Sequence, residues 1–129
     1  MSDIKLEDLK VLCVEDDEIA RLSIVNIIRR RVGEIYTAEN GEVGLSVYSE
    51  KSPDIIVADL AMPIMDGLVM IDEIRKEDTE IPIIVITAFP DQARKVDKAD
   101  YVMVKPVHKD MLLETLDKCV RKLNERGAE

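Results

Sequence analysis

Short runs of consecutive apolar residues alternate with longer amphipathic stretches along the whole chain, and this alternation restricts the fold more than any other feature. A strand covered on both faces reads as an unbroken apolar run, whereas a strand with one wet face alternates, so the pattern implies a parallel sheet between two layers of helix. The runs fall at residues 10–14, 34–38, 54–58, 82–86 and 101–104. Over residues 18–32, Ile19, Leu22, Val25, Ile28 and Val32 recur at helical spacing, and Arg29, Arg30 and Arg31 stand at the end where a helix dipole favours cations. Further helices are predicted over 42–51 (Val43, Val47, Tyr48), 66–76 (Met70, Ile71, Ile74) and 109–126 (Leu112, Leu116, Cys119, Val120, Leu123). After the fourth run Pro90 suits a first helical position, yet only about two turns, to Val96, fit before Ala99 and Asp100 lead into the fifth. The expected fold is α/β, a doubly wound five-stranded parallel sheet of (βα)5 connectivity.

At 129 residues the chain fits one domain over residues 1–129, with a core from about residue 10 to residue 125. That length buries about two thirds of the surface of the unfolded chain. A formal net charge of -9 argues against a non-specific hold on nucleic acid or on an anionic membrane, since polyanions reward the opposite sign, and points to proteins or a cation as partners. Cys13 lies in an apolar run and Cys119 on the apolar side of the last helix, without a CxxC or a nearby His, so both read as buried thiols. The N-terminus lacks the basic start and apolar stretch of a secretory signal, and no apolar run approaches about 18 residues. A soluble, cytoplasmic protein is expected.

In open α/β sheets, ligands bind outside the carboxyl ends of the strands, so the residues placed there carry the functional reading. In chain order they are Glu15-Asp16-Asp17-Glu18, Glu39-Asn40-Gly41, Asp59, Thr87-Ala88 and Lys105-Pro106. With the first strand central and the third beside it, Glu15, Asp16 and Asp59 converge. Two carboxylates about 4 Å apart repel by roughly 4 kcal/mol at an effective dielectric of about 20, so the trio requires a proton, a Lys or a cation. A few carboxylates with waters and a phosphate oxygen suit Mg2+, whereas Zn2+ favours His or Cys and Ca2+ a denser oxygen cage. Lys105 adds a fixed positive charge and Thr87 a hydroxyl. Together they meet the needs of covalent phosphoryl transfer to Asp59: a nucleophilic oxygen, a shared cation and donors for the equatorial oxygens.

The stretches "VEDDE", "DLAMPIMDG", "ITA" and "VKP", in this order and each at a strand end, resemble the receiver domain of two-component response regulators over about residues 11–123. The resemblance implies a flavodoxin-like receiver fold of strand order 2-1-3-4-5. It also implies that Asp59 accepts a phosphoryl group from a phosphohistidine on a sensor histidine kinase or phosphotransfer protein. Asp16, with Glu15, would hold Mg2+ together with Asp59 and the backbone carbonyl of Ala61. Lys105 would pair with the phosphoryl oxygens, Thr87 would move toward them, and Lys105-Pro106 would carry a cis peptide bond. A downstream protein target and a phosphorylation-dependent homodimer complete the expected partners, with no direct hold on nucleic acid or membrane. His108, at the entry to the last helix and without the pattern of a donor helix, reads as a surface or capping residue.

Two departures from the family fall on the output side. Receivers place Tyr or Phe three residues before the conserved Lys; here that position is Val102, and Tyr101 should face the opposite way on a strand of period two. The interval from Thr87 to Lys105 is also short by about four residues, roughly one helical turn, which implies a shortened fourth helix. Ala61 and Phe89 leave the phosphoryl site without an amide or acid to orient water, so slow self-dephosphorylation is expected. Three other readings compete. A flavin-binding electron carrier of similar topology wants a Ser/Thr/Gly-rich phosphate loop where this chain has four acids. An aspartyl phosphatase wants a second acid where Ala61 stands. A receiver excised from a larger DNA-binding regulator or hybrid histidine kinase looks the same in sequence as a natural single-domain regulator, which is the reading the ends of the chain favour.

Overall fold

A computed structural model describes residues 3–93 and 96–127. Five parallel strands, β1 (Lys10–Val14), β2 (Glu34–Ala38), β3 (Ile55–Ala58), β4 (Ile83–Thr87) and β5 (Tyr101–Val104), form one sheet in the order β2-β1-β3-β4-β5. β1, β3 and β4 have neighbours on both edges and helices on both faces, which is why their side chains are almost wholly buried. β2 lies at an edge and exposes Glu34 and Thr37.

The helices are α1 (Glu18–Ile28), α2 (Gly41–Lys51), α3 (Gly67–Glu77), α4 (Pro90–Ala93) and α5 (Lys109–Gly127), with a 3-10 turn at Leu6–Asp8. Alternate strand residues serve two separate layers. Val11, Cys13, Ile55, Val57, Ile84 and Ile86 pack with Ile24 and Ile28 of α1 and with Leu112, Leu116 and Cys119 of α5. Leu12, Val14, Ile56, Ala58, Ile83 and Val85 pack with Met70, Ile71 and Ile74 of α3 and with Leu45 and Val47 of α2. Each large aliphatic side chain withdrawn from water in this way contributes about 2 kcal/mol. Both thiols are buried as expected, and burial pushes each up to about 12.

Three of the helices that begin at the carboxyl end of the sheet, α1, α2 and α3, carry side-chain caps. Asp17 Oδ1 accepts from the Ile19 N–H at 3.0 Å, Asn40 Oδ1 from Val43 at 2.9 Å, and Asp66 Oδ1 from Val69 at 2.9 Å. Asp66, read from sequence as the first residue of α3, is thus its cap. α1 corrects the sequence reading in two ways. It ends at Ile28 instead of Val32, because the Arg31 and Val32 N–H groups both turn back to the Ile28 carbonyl, so Arg29 to Arg31 leave the helix. Its buried residues are Ile24 and Ile28, whereas Ile19 is 80% and Leu22 52% exposed, since at about 100° per residue both point away from the side that Ile24 and Ile28 bury. β3 and β4 start one residue later than expected, and β4 includes Thr87.

The short fourth helix expected from the Thr87 to Lys105 interval is present: four helical residues, with no helix at Val96 or Asp97, while residues 94 and 95 of the predicted segment lie outside the described residues. Val102 is half-buried against the α2/α3 layer and Tyr101 against the α1/α5 layer, where Lys122 Nζ lies 4.7 Å from its ring centroid. The aromatic ring therefore sits on the opposite side of β5 from Val102.

Candidate functional site

Parallel pairing brings the carboxyl ends of β1, β3, β4 and β5 to one edge of the sheet, and the residues that follow them meet there. Val14 pairs with Ala58, so Glu15 and Asp59 emerge side by side; the Asp59 N–H donates to the Val14 carbonyl at 3.0 Å, and the Glu15 N–H to the Ala38 carbonyl at 2.9 Å. Thr87 pairs with Val104, and the Lys105 N–H donates to the Thr87 carbonyl at 2.7 Å. Lys105-Pro106 is cis.

One carboxylate oxygen each from Glu15, Asp16 and Asp59 lies within 4.8 Å of the others. Glu15 and Asp59 are buried, and Asp16 is exposed at the rim. Lys105 Nζ reaches Glu15 Oε1 at 2.5 Å and Asp59 Oδ2 at 3.2 Å, while Asp59 Oδ1 accepts from the Leu60 N–H at 2.7 Å. Burial pushes the Glu15 carboxyl from its ordinary 4.5 up to about 7, with Lys105 opposing the rise and Asp59 reinforcing it. Burial alone would lower Lys105, but the two carboxylates it joins hold its pKa above the ordinary value. One ammonium among three carboxylates leaves the cluster negative, and an all-oxygen donor set with that deficit fits a hard divalent cation. Ala61, exposed, lines with Asp16 a depression of about 320 Å³ that also includes Met62, Pro63 and Asp66. A metal ion there would draw on Glu15, Asp16, Asp59 and the Ala61 carbonyl.

The chain matches the response regulator receiver domain over residues 11–121. It belongs to that family. This receiver is 33% identical over 114 residues to the chemotaxis protein CheY of Bacillus subtilis, covering 84% of this chain and 95% of that protein. It is 36% identical to CheY of Listeria monocytogenes over 118 residues, 88% of this chain and 99% of the relative. In structure it superimposes on the response regulator TrrA of Thermotoga maritima, solved in complex with Mg2+ and beryllofluoride, with a TM-score of 0.81 at 31% identity, covering 86% of this chain and 98% of that one. The receiver is thus the phosphoryl-acceptor type of module used in two-component signalling. Among its described residues no helix is long and apolar enough to cross a membrane.

The receiver brings Glu15, Asp16, Asp59 and Lys105 together as the sequence suggests. Thr87 ends β4 fully buried, its hydroxyl accepting from the Phe89 N–H at 3.1 Å, and the Phe89 side chain is 52% exposed. His108 is exposed, and its carbonyl accepts the Leu112 N–H at the start of α5. Sequence reasoning missed Arg21, whose Nη1 donates to the Glu15 carbonyl at 2.8 Å and ties α1 to the acidic loop. Its only signal was a cation one helical turn into α1. Also missed was the closeness of Lys105 to Glu15, because period and order place both at the same sheet edge without saying which carboxylate the ammonium prefers.

Proposed function

We propose that this receiver accepts a phosphoryl group on Asp59 from a phosphohistidine of a sensor histidine kinase or phosphotransfer protein, and passes the signal on by a changed protein contact. The observation that carries the reading is the meeting of Glu15, Asp16 and Asp59 within 4.8 Å beside the Lys105 ammonium. The Asp59 carboxylate forms the new P–O bond as the P–N bond of the donor breaks, and the departing imidazole nitrogen keeps the electron pair. Asp59 attacks as the anion, so the step needs no base. Lys105 leaves Glu15 and Asp59 to pair with the incoming oxygens, and the Thr87 hydroxyl exchanges the Phe89 N–H for the phosphoryl group. Mg2+ held by Glu15, Asp16, Asp59 and the Ala61 carbonyl would neutralise charge shared between Asp59 and the phosphoryl oxygens.

One receiver domain over residues 1–129, working in the cytoplasm on a protein target and without direct nucleic-acid contact, accords with the acidic charge. Val102 in place of an aromatic, together with the four-residue α4, supports an output face unlike that of most receivers, including any phosphorylation-dependent homodimer built on it. The test is incubation of wild type and Asp59→Asn with a small acyl phosphate and Mg2+, reading intact mass and oligomeric state. Wild type should gain one phosphoryl group in a Mg2+-dependent manner and Asp59→Asn none. Equal gain by both, or none by wild type, overturns the reading.

A further inference from the structure

We propose that Gly41, the first residue of α2, is a positioning residue for the phosphoryl site: it tethers the loop that follows Asp59 through an approach that only glycine permits. The inference rests on the reading of Asp59 as acceptor and of the Ala61 carbonyl as metal ligand. Residues 59–67 leave β3, present Ala61 at the rim and return to start α3. Two backbone hydrogen bonds lie within this loop, Gly67 N–H to the Leu60 carbonyl at 2.8 Å and Met65 N–H to the Pro63 carbonyl at 2.7 Å. Beyond the Asp59 N–H bond to Val14 at its start, the loop is tied to another element by Gly41, whose N–H donates to the Met65 carbonyl at 2.9 Å. That N–H is one of the orphan donors at the start of α2, so the helix end and the loop satisfy each other.

The loop needs an outside tether because it does not hold its shape by local preference. Ile64, β-branched and 77% exposed, has φ of 68°, a region such residues avoid. The approach leaves no room for a side chain. A Cβ on Gly41 would lie 2.5 Å from the Met65 carbonyl oxygen, 2.9 Å from Met65 Cγ and 3.0 Å from the Asp66 carbonyl oxygen, so backbone has to move. At the other end of the loop a Cβ on Gly67 would lie 2.1 Å from the Asp59 carbonyl oxygen, which couples a displaced α3 start directly to the acceptor. Asn40, 5% exposed, accepts from the Val43 N–H and so caps α2 directly before Gly41.

The experiment compares Gly41→Ala with Gly33→Ala by calorimetric titration of the protein with Mg2+ and by rate of acyl phosphate uptake. Gly33 is the matched control: its Cβ would meet the Glu7 carbonyl oxygen at 2.8 Å and the Leu9 carbonyl oxygen at 3.0 Å, a backbone clash at the opposite end of the sheet. Gly41→Ala should weaken Mg2+ binding about tenfold, the size of effect expected for a residue supporting a metal ligand, and slow phosphorylation in step. Gly33→Ala should lower the melting temperature with Mg2+ affinity unchanged. Asn40→Ala adds no bulk and keeps the test open should Gly41→Ala fail to fold; it should weaken Mg2+ binding by a smaller factor, and Asn40→Ser, which restores a cap, should recover it. If wild type takes up phosphoryl groups while Gly41→Ala and Asn40→Ala bind Mg2+ within twofold of wild type, the tether is overturned alone. Wild type that takes up none overturns the phosphoryl reading beneath it.

Discussion

Lys105 is the ammonium that holds Glu15 and Asp59 together, and replacing it with Met tests the electrostatics of the site without phosphoryl chemistry. Breaking a buried pair by removing one partner costs about 3–5 kcal/mol, and the low end applies because Lys105 is 24% exposed. A loss of about 3 kcal/mol at pH 8 in metal-free buffer corresponds to a melting temperature about 10 °C lower for a chain of this size. Glu15 sets the pH dependence. With its folded pKa raised from 4.5 to about 7, the folded chain holds this proton more tightly than the unfolded one, so the associated stability is fully present below pH 4.5 and lost as pH rises through 7. Without Lys105 the carboxyl rises further, and the loss extends to higher pH. Below about pH 5.5 Glu15 takes a proton in either protein, leaving Lys105 only Asp59 to pair with, and the difference should shrink to about 1 kcal/mol. Far-UV circular dichroism during urea unfolding is the assay, because the chain has no Trp. A destabilisation of equal size at pH 5.5 and pH 8, or a larger one at pH 5.5, refutes the reasoning.

Replacing Ala61 with Asn should speed decay of the phosphorylated protein several-fold, measured by loss of the phosphorylated mass; an unchanged rate removes the argument that apolar side chains at 61 and 89 leave water unoriented. Ile64→Asn should stabilise the chain by about 1 kcal/mol and raise the melting temperature by about 3 °C, since Asn accepts a left-handed backbone that Ile resists. Asp100→Asn should cost about 3 kcal/mol, because its carboxylate joins Arg75 at 3.1 Å, Lys122 at 2.9 Å and the Ile83 N–H at 2.8 Å. Burial alone would raise Asp100, but the hydrogen bonds from Lys122 and Ile83 and the charges of Lys122 and Arg75 more than offset it and hold its pKa low. That stability is present above about pH 4 and lost as pH falls through the folded pKa, so the variant should show a flatter acid limb in unfolding.

The sheet was legible because β1, β3 and β4 are buried on both faces, which leaves an unbroken apolar run that little else in a chain of this size can produce. The site followed, since acids, hydroxyl and ammonium each stand one step past a strand. α1 was misread because steps of three residues each fall about 60° short of a full turn, so the series from Ile19 through Leu22 and Val25 to Ile28 winds around the helix and leaves Ile19 on the side opposite Ile28. The end of α1 depended on Arg31 and Val32 both returning to the Ile28 carbonyl, a competition among backbone donors with no side-chain signature. Ile64 is a similar case, since nothing about an isoleucine announces a positive φ. Gly41 stood in the sequence only as a residue past the second strand, whereas its approach to Met65, like that of Gly67 to Asp59, depends on elements packing together at the sheet edge.

Charge balance ties the metal, Lys105 and the acceptor into one device. Three carboxylates and one ammonium sum to a charge of -2 when all are ionised, and a divalent cation brings the cluster to zero. Converting the Asp59 carboxylate to an acyl phosphate dianion adds a further unit of negative charge. From a neutral start the cluster would then stand at -1, and Lys105, already counted in that sum, would face the new charge by turning from Glu15 to the phosphoryl oxygens. From -2 the same step would leave the cluster at -3, and Glu15, whose carboxyl burial has pushed up to about 7, is the group there that a proton would neutralise most readily. Lys105 and a metal ion would therefore draw on the same two buried carboxylates, Glu15 and Asp59. In the proposed transfer, a backbone shift at Lys105 would be passed to Thr87, because the Lys105 N–H donates to the Thr87 carbonyl. On the proposed function β4 and β5 would feel the reaction together, with the aliphatic Val102 half-buried against the α2/α3 layer where a receiver is expected to carry a ring.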